Sequence, residues 1–235
     1  MRKLRFKTCT IVAALVLILT SGFQAEAETF QLELKRIEKK RSPTRATDRL
    51  FGRVSSKYIQ TDLSSDSESF KSLVKKEPSE YQCDKPLRNT VELGTRQYAF
   101  ALDSTDIQSE GYNRLYFDKN GNGDLTDDGV VEPTEQRIRS EYGYCYYPRI
   151  DMLVEADEEQ VDYSFFLSAY SRIRSGSVYR GYALLYSGAY REAAIQLNGK
   201  SHTIVVQDFN SNGIFNDTWQ RDRNVRTSDG RLYVP

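Results

Sequence analysis

Histidine occurs once in the 235 residues, tryptophan once, methionine twice and cysteine three times. With a single His and so few Cys, a zinc centre built from several of these side chains is excluded by count. A Ser-His-Asp or Cys-His catalytic site would have to run through His202, and no nucleophile elbow accompanies it. His202 alternates in phase with Ile204 and Val206, which reads as a packed or half-exposed strand residue. Charge of one sign is also lacking: Lys plus Arg and Asp plus Glu each number 33. Nucleic acid calls for a basic surface, so that class of partner is not expected. Long hydrophobic runs are missing too, apart from one near the start.

That run, Ile11 to Leu19, is nine residues long, well short of the roughly 20 that span a bilayer. Arg2, Lys3, Arg5 and Lys7 precede it, and Ala25-Glu26-Ala27 follows as a small-x-small cleavage site. Residues 1–27 therefore read as a signal peptide, with a mature chain starting near Glu28. Cys9 precedes the apolar run and is not placed to be a lipoprotein cysteine. The expected location is secreted, periplasmic or at the cell surface, with no membrane span. Removing four basic residues and one acidic one leaves the mature chain slightly acidic. Cys83 and Cys145 remain, so an oxidising compartment allows one disulfide, worth about 4 kcal/mol in the chain-entropy model, with two free thiols as the alternative.

The abundant residues are aromatic: sixteen Tyr and eleven Phe, enough for a substantial core. Residues 28–88 form an N-terminal segment. Phe30 to Leu34 alternates as a strand does, and Lys35 to Arg41 is a basic cluster that reads as a solvated strand end. Ser64-Ser65-Asp66 supplies N-cap residues for a short helix carrying Phe70, Leu73 and Val74. Residues 89–235 read as strand and turn. Gly94-Thr95-Arg96 marks a three-residue hairpin loop and Asn198-Gly199 a two-residue one. Tyr142, Tyr144 and Tyr146 share one strand face, with Cys145 on the other; such a stripe suits a cross-strand ladder or, alternatively, sugar stacking. The expected fold class is mainly β, sandwich-like or built of hairpin repeats, with one short N-terminal helix.

Two segments of this β region share the template D-x-N-x-N-G-x-x-x-D. The first runs from Asp118 through Asn120, Asn122, Gly123 and Asp124 to Asp127, with Asp128 next. The second runs from Asp208 through Asn210, Asn212, Gly213 and Ile214 to Asp217. Each follows an apolar strand end. The spacing suits a hard cation: positions 1, 3 and 5 offer side-chain oxygens, Gly at position 6 allows a sharp turn, and position 7 offers its carbonyl. Asn, Asp and Gly also make ordinary turns; the repetition of the template is what favours metal.

Both loops resemble calcium loops of the EF-hand and dockerin type, and the strand-loop calcium turns of secreted bacterial proteins. The resemblance implies Ca²⁺ as a structural cofactor. It covers the loops alone, and it departs from the EF-hand at position 12, where Gly129 and Trp219 replace the bidentate Glu. Asp127 or Asp128, and Asp217 or Asp222, would have to complete the two shells. Flanking strands argue against a helix-loop-helix pair. The first loop, with more carboxylates, is the better expected site, and both should be weak. Mg²⁺ suits them less, since it demands near-octahedral geometry. The functional expectation is an exported, non-enzymatic, calcium-stabilised β protein acting as a binding or structural module, with any protein or glycan partner unidentified. A secreted hydrolase or hydrolase accessory domain with a calcium-held scaffold is the alternative.

Overall fold

The computed structural model describes residues 31–37, 57–61, 67–156, 159–174, 177–197, 200–208 and 210–215. The proposed signal segment, Asp217 and Asp222 lie outside them. Among the described residues the chain is mainly β, with thirteen strands in three sheets and one helix.

The central sheet is antiparallel, in the order β3 (Leu87–Leu93), β4 (Arg96–Asp103), β5 (Arg114–Phe117) and β6 (Val130–Val131). Alternation along it divides its side chains between two neighbours. Tyr98, Phe100, Leu102, Leu115 and Phe117 join the main core, whereas Ala99, Ala101 and Tyr116 face the helix side. That helix, α1 (Glu68–Leu73), presses buried Phe70 onto the alanines. Its N-cap is Ser67, whose hydroxyl accepts from Phe70 N at 3.4 Å, one residue beyond the Ser64-Ser65-Asp66 run expected to cap it.

The other face of the central sheet packs on a larger one, ordered β2 (Lys57–Thr61), β11 (Ser177–Ser187), β10 (Glu159–Arg174), β8 (Tyr142–Tyr146) and β7 (Glu135–Ile138). β10 is long enough to serve two partners: its first half pairs with β9 (Ile150–Ala156), and its second half with β8. Phe117 meets Phe165 of β10 with ring centroids 5.1 Å apart, joining the sheets. A third sheet, β1 (Glu33–Arg36), β12 (Ala189–Leu197) and β13 (Lys200–Gln207), completes the fold. Strands from the N-terminal segment thus pair with late ones: β1 with β12 and β2 with β11. Lys35 in β1 pairs with Glu33 and Glu192, so this part of the basic cluster is a charge-paired strand end.

One expectation is corrected and one open alternative is decided. The β3–β4 turn has two residues, not three, because Leu93 pairs directly with Arg96. Gly94 takes φ +67° there, and a side-chain carbon on it would meet the Glu155 carbonyl oxygen at 1.9 Å, so the twist of a tight turn is available only to glycine. Cys83 and Cys145 are not bonded; both thiols are free. Cys145 is buried on β8 and donates to the Glu110 carbonyl at 3.2 Å, while the Cys83 thiol is engaged by Asp103, so each sulfur faces its own oxygen partner. Burial pushes both thiols up to about 12.

Candidate metal loops

The two template segments fold alike. The first loop leaves β5 at Asp118, and the second leaves β13 at Asp208; both carboxylates are buried. Asp118 Oδ1 accepts from Asn122 N at 3.0 Å and Oδ2 from Gly123 N at 2.9 Å. Asp208 repeats this with Asn212 N and Gly213 N at 3.0 and 2.9 Å. Asn120 Oδ1 and Asn210 Oδ1 each accept from the position-5 N–H at 2.9 Å. Asn122 Oδ1 takes Asp124 N at 2.6 Å, and Asn212 Oδ1 takes Ile214 N at 2.9 Å. Positions 4 and 6 are left-handed in both: Gly121 and Ser211 at +68° and +55°, Gly123 and Gly213 at +85° and +88°. Side-chain oxygens at positions 1 and 3 thus meet at one backbone N–H, which gathers them on the inside of the turn.

Asp127 closes the first loop. Its Oδ2 accepts from the side-chain amides of Asn122 at 2.7 Å and Asn120 at 3.3 Å, so positions 3, 5 and 10 face one another. Asp128 instead caps the loop's start, accepting from Lys119 N at 2.7 Å and Asn120 N at 3.3 Å. Asp124 turns outward to Lys76 Nζ at 2.8 Å and to Thr126, and the lysine and threonine hydrogen bonds hold its carboxyl down at about 2. Its carboxylate therefore adds nothing to the interior of the loop, and only its carbonyl remains as a candidate ligand. Burial raises the Asp118 carboxyl, against the N–H groups of Gly123 and Asn122 that favour its ionised form. Among the described residues, no three His, Cys, Asp or Glu side chains gather as a ligand set. A cation here would need amide and carbonyl oxygens beside Asp118 and Asp127, a donor chemistry that suits calcium and not a softer metal.

Each loop is locked to the body of the fold by residues the template does not contain. Position 8 is apolar and buried in both: Leu125 beneath α1 and Phe215 in the main core. The Gly123 carbonyl accepts from Lys75 N and Lys76 N at 2.8 and 3.1 Å. Tyr163 donates its hydroxyl to Asp208 Oδ2 at 2.7 Å, a buried partner with no counterpart at Asp118 among the described residues. Both loops also lean on the β3–β4 turn. Arg96 donates to the Gly121 carbonyl and, at 3.0 Å, to Glu155, while Gly94 N donates to the Asn212 carbonyl at 2.6 Å. The shared apolar position 8 was visible in the sequence; the Lys75, Arg96 and Tyr163 contacts, 47, 25 and 45 residues apart along the chain, carried no local signal.

Elsewhere, His202 is exposed on β13 opposite Ile195. An open cavity of about 420 Å³ lies between β7 and the 105–114 segment, lined by Glu110, Arg114, Glu132 and Glu135 among others. Among the described residues no helix is long and apolar enough to cross a membrane. Loops and sheets together define a layered, mainly β protein with a duplicated Asx-rich turn. Comparison with protein-family models, curated proteins and solved structures finds no match.

Proposed function

We propose that the chain is an exported, non-enzymatic β module whose first loop binds a structural Ca²⁺, acting as a binding or structural protein at or beyond the cell surface. One observation carries this reading: the two template loops share their hydrogen-bond scaffold and both left-handed positions, yet sit on different sheets. The shared template builds the same Asx turn twice, and in both copies the position-1 and position-3 oxygens gather at one backbone N–H on the inside of the turn, where a hard cation would take its ligands. The n-region, apolar run and Ala25-Glu26-Ala27 supply the export half of the reading. Asp118, Asn120, Asn122, Asp127 and the Asp124 carbonyl are the first loop's ligands. Asp208, Asn210, Asn212 and the Ile214 carbonyl are the second's. The second is the weaker, since Asp208 already holds the Tyr163 hydroxyl. Calcium ties the strand end of β5 to the segment after α1, where Lys75 and Lys76 grip the loop.

Binding to the folded state alone stabilises by about 2.7 kcal/mol at a hundredfold excess over Kd. For a chain of this size that is roughly 5–10 °C in melting temperature. Calcium should raise the melting temperature by that order, magnesium by less, and Asp118→Ala should remove most of the rise. Identical melting in calcium and in chelator would refute the metal reading. A second reading, a secreted hydrolase on a calcium-held scaffold, has the cavity beside β7 in its favour, because Glu110, Glu132 and Glu135 supply acids there. Two of these are committed elsewhere: Glu110 accepts from Thr105 and Asn113, and Glu135 from Arg137. Glycoside hydrolysis abolished by Glu132→Gln would favour that reading.

A further inference from the structure

The third sheet carries a buried positive charge with no counter-charge in contact. Arg191 of β12 is 7% exposed, and its Nε has no hydrogen-bond partner. No carboxylate among the described residues lies within ion-pair distance of it. Arg88, Arg96, Arg114 and Arg149 are all more exposed, and each has such a partner. The Arg191 guanidinium carbon sits 5.0 Å from the ring centroid of Phe215, a cation–π contact. A buried charge without an ionic partner costs stability, so the residue calls for an explanation beyond packing.

Its position supplies one. Phe215 is position 8 of the second loop. Arg191 lies opposite Val206 of β13, and Asp208, the loop's first residue, follows two positions later. Residues directly opposite share a sheet face, and so do residues two apart along a strand. Val206 packs against the main core and Asp208 holds the hydroxyl of Tyr163 in that core, which puts both on the side that Arg191 occupies. Diagonal neighbours of this kind stand about 7–8 Å apart at the backbone. At that range, short of an ion pair, two charges interact strongly inside a protein, where solvent and salt screen little. The first loop is placed differently. Lys75 and Lys76 beside it are exposed, and Lys76 and Arg96 each hold a carboxylate of their own. The loops also differ in their own charge: Asp118 and Asp127 serve the first, whereas Asp208 is the second's only loop carboxylate among the described residues.

We infer that Arg191 is a built-in counter-cation of the second loop: it balances Asp208 as calcium balances Asp118, and so lowers the second loop's affinity for Ca²⁺. The inference rests on the calcium reading of the loops, and its test reads the two loops separately. Calcium is titrated into the full chain, into Arg191→Met and into Arg191→Lys, with backbone amides followed by NMR. Asn122 and Gly123 report the first loop, Asn212 and Gly213 the second. In Arg191→Met, the calcium needed to half-saturate the second loop should fall about tenfold or more, while the first loop's stays as it was. Arg191→Lys keeps the charge and should keep the weak second loop. Without its counter-cation Asp208 is buried and unbalanced, so Arg191→Met should melt below the wild type in chelator and regain the loss in calcium. Second-loop amides of Arg191→Met that titrate as in the wild type would overturn the inference. Equal strengthening by Arg191→Lys would do so too, since the effect would then be one of packing, as would an Arg191→Met chain that folds in neither chelator nor calcium. First-loop amides unmoved by calcium, with the second loop of Arg191→Met responding, would refute calcium in the first loop and uphold this inference.

Discussion

Asp118 is the residue on which most depends. Its two oxygens satisfy the N–H groups of Asn122 and Gly123. Asp118→Ala leaves both without that partner, at a cost of about 1–3 kcal/mol even in chelator. Its pKa is raised by burial. A proton therefore competes with a cation for this carboxylate at higher pH than for an ordinary aspartate. The calcium-induced rise in melting temperature should accordingly fall as the pH drops through the carboxylate range, and it should be clearly smaller below 3.8 than at neutral pH. A rise that persists undiminished below that value would contradict the assignment. Asp124 shows the opposite sign. Its folded pKa, about 2, lies below the ordinary value, so its contribution is present above 3.8 and lost as the pH falls toward 2. Lys76→Met should bring its titration, followed by carboxyl NMR, back up toward 3.8. The cysteines give a third residue-scale test. Cys83 and Cys145 are free, with thiols held near 12 by burial, so both should resist alkylation at pH 8 in the folded chain and react on denaturation. A Cys83–Cys145 peptide recovered without reduction would contradict this.

At the scale of elements, the β3–β4 turn is where the two loops meet. Gly94→Ala places a methyl against the Glu155 carbonyl and forces a left-handed residue, so several kcal/mol of destabilisation are expected, with the loss of Asn212's backbone partner. A variant as stable as the wild type in urea would show that the turn is not the common support. Phe70→Ala should cost about 3–5 kcal/mol, since the ring fills the layer between α1 and the central sheet. These elements were unequally legible in the sequence. The strand-and-turn reading of residues 89–235 takes in β9, β10 and β11, and the Tyr142 to Tyr146 stripe lies on β8 with Cys145 turned inward, as its phase implied. β7 escaped because Glu135, Gln136 and Arg137 lack an apolar alternation on an edge strand. The helix cap was misplaced by a residue because Ser64, Ser65 and Ser67 all carry capping hydroxyls, and only packing of Phe70 selects among them.

For the whole molecule, the legible part was local and the illegible part was long-range. Asp, Asn and Gly at fixed spacing announced the two loops, since an Asx turn is written within a few residues. Their docking was not, because Lys75, Arg96 and Tyr163 reach them only after the sheets have assembled. The layering has the same cause. Tyr98, Phe100 and Leu102 alternate with Ala99 and Ala101, and the small residues on one face make room for a helix, which becomes readable only when both faces are seen to be covered. The cysteine pair was undecided in the sequence for the same reason: whether Cys83 reaches Cys145 or Asp103 depends on how the 81–86 segment lies on the core. Asp124 adds a last instance, since its carboxylate counted toward the first loop's charge until Lys76 was seen to hold it.

The central claim, calcium in the first loop, is tested most directly by following backbone amide resonances through a calcium titration. The amides of Asn122, Gly123 and Asp124, each hydrogen-bonded to a loop side chain, should shift saturably and return on chelation. The same shifts should be absent in Asp118→Ala, while amides of β10 stay in place. Loop amides that remain unmoved at millimolar calcium, in a chain whose β10 resonances confirm that it is folded, would contradict the account.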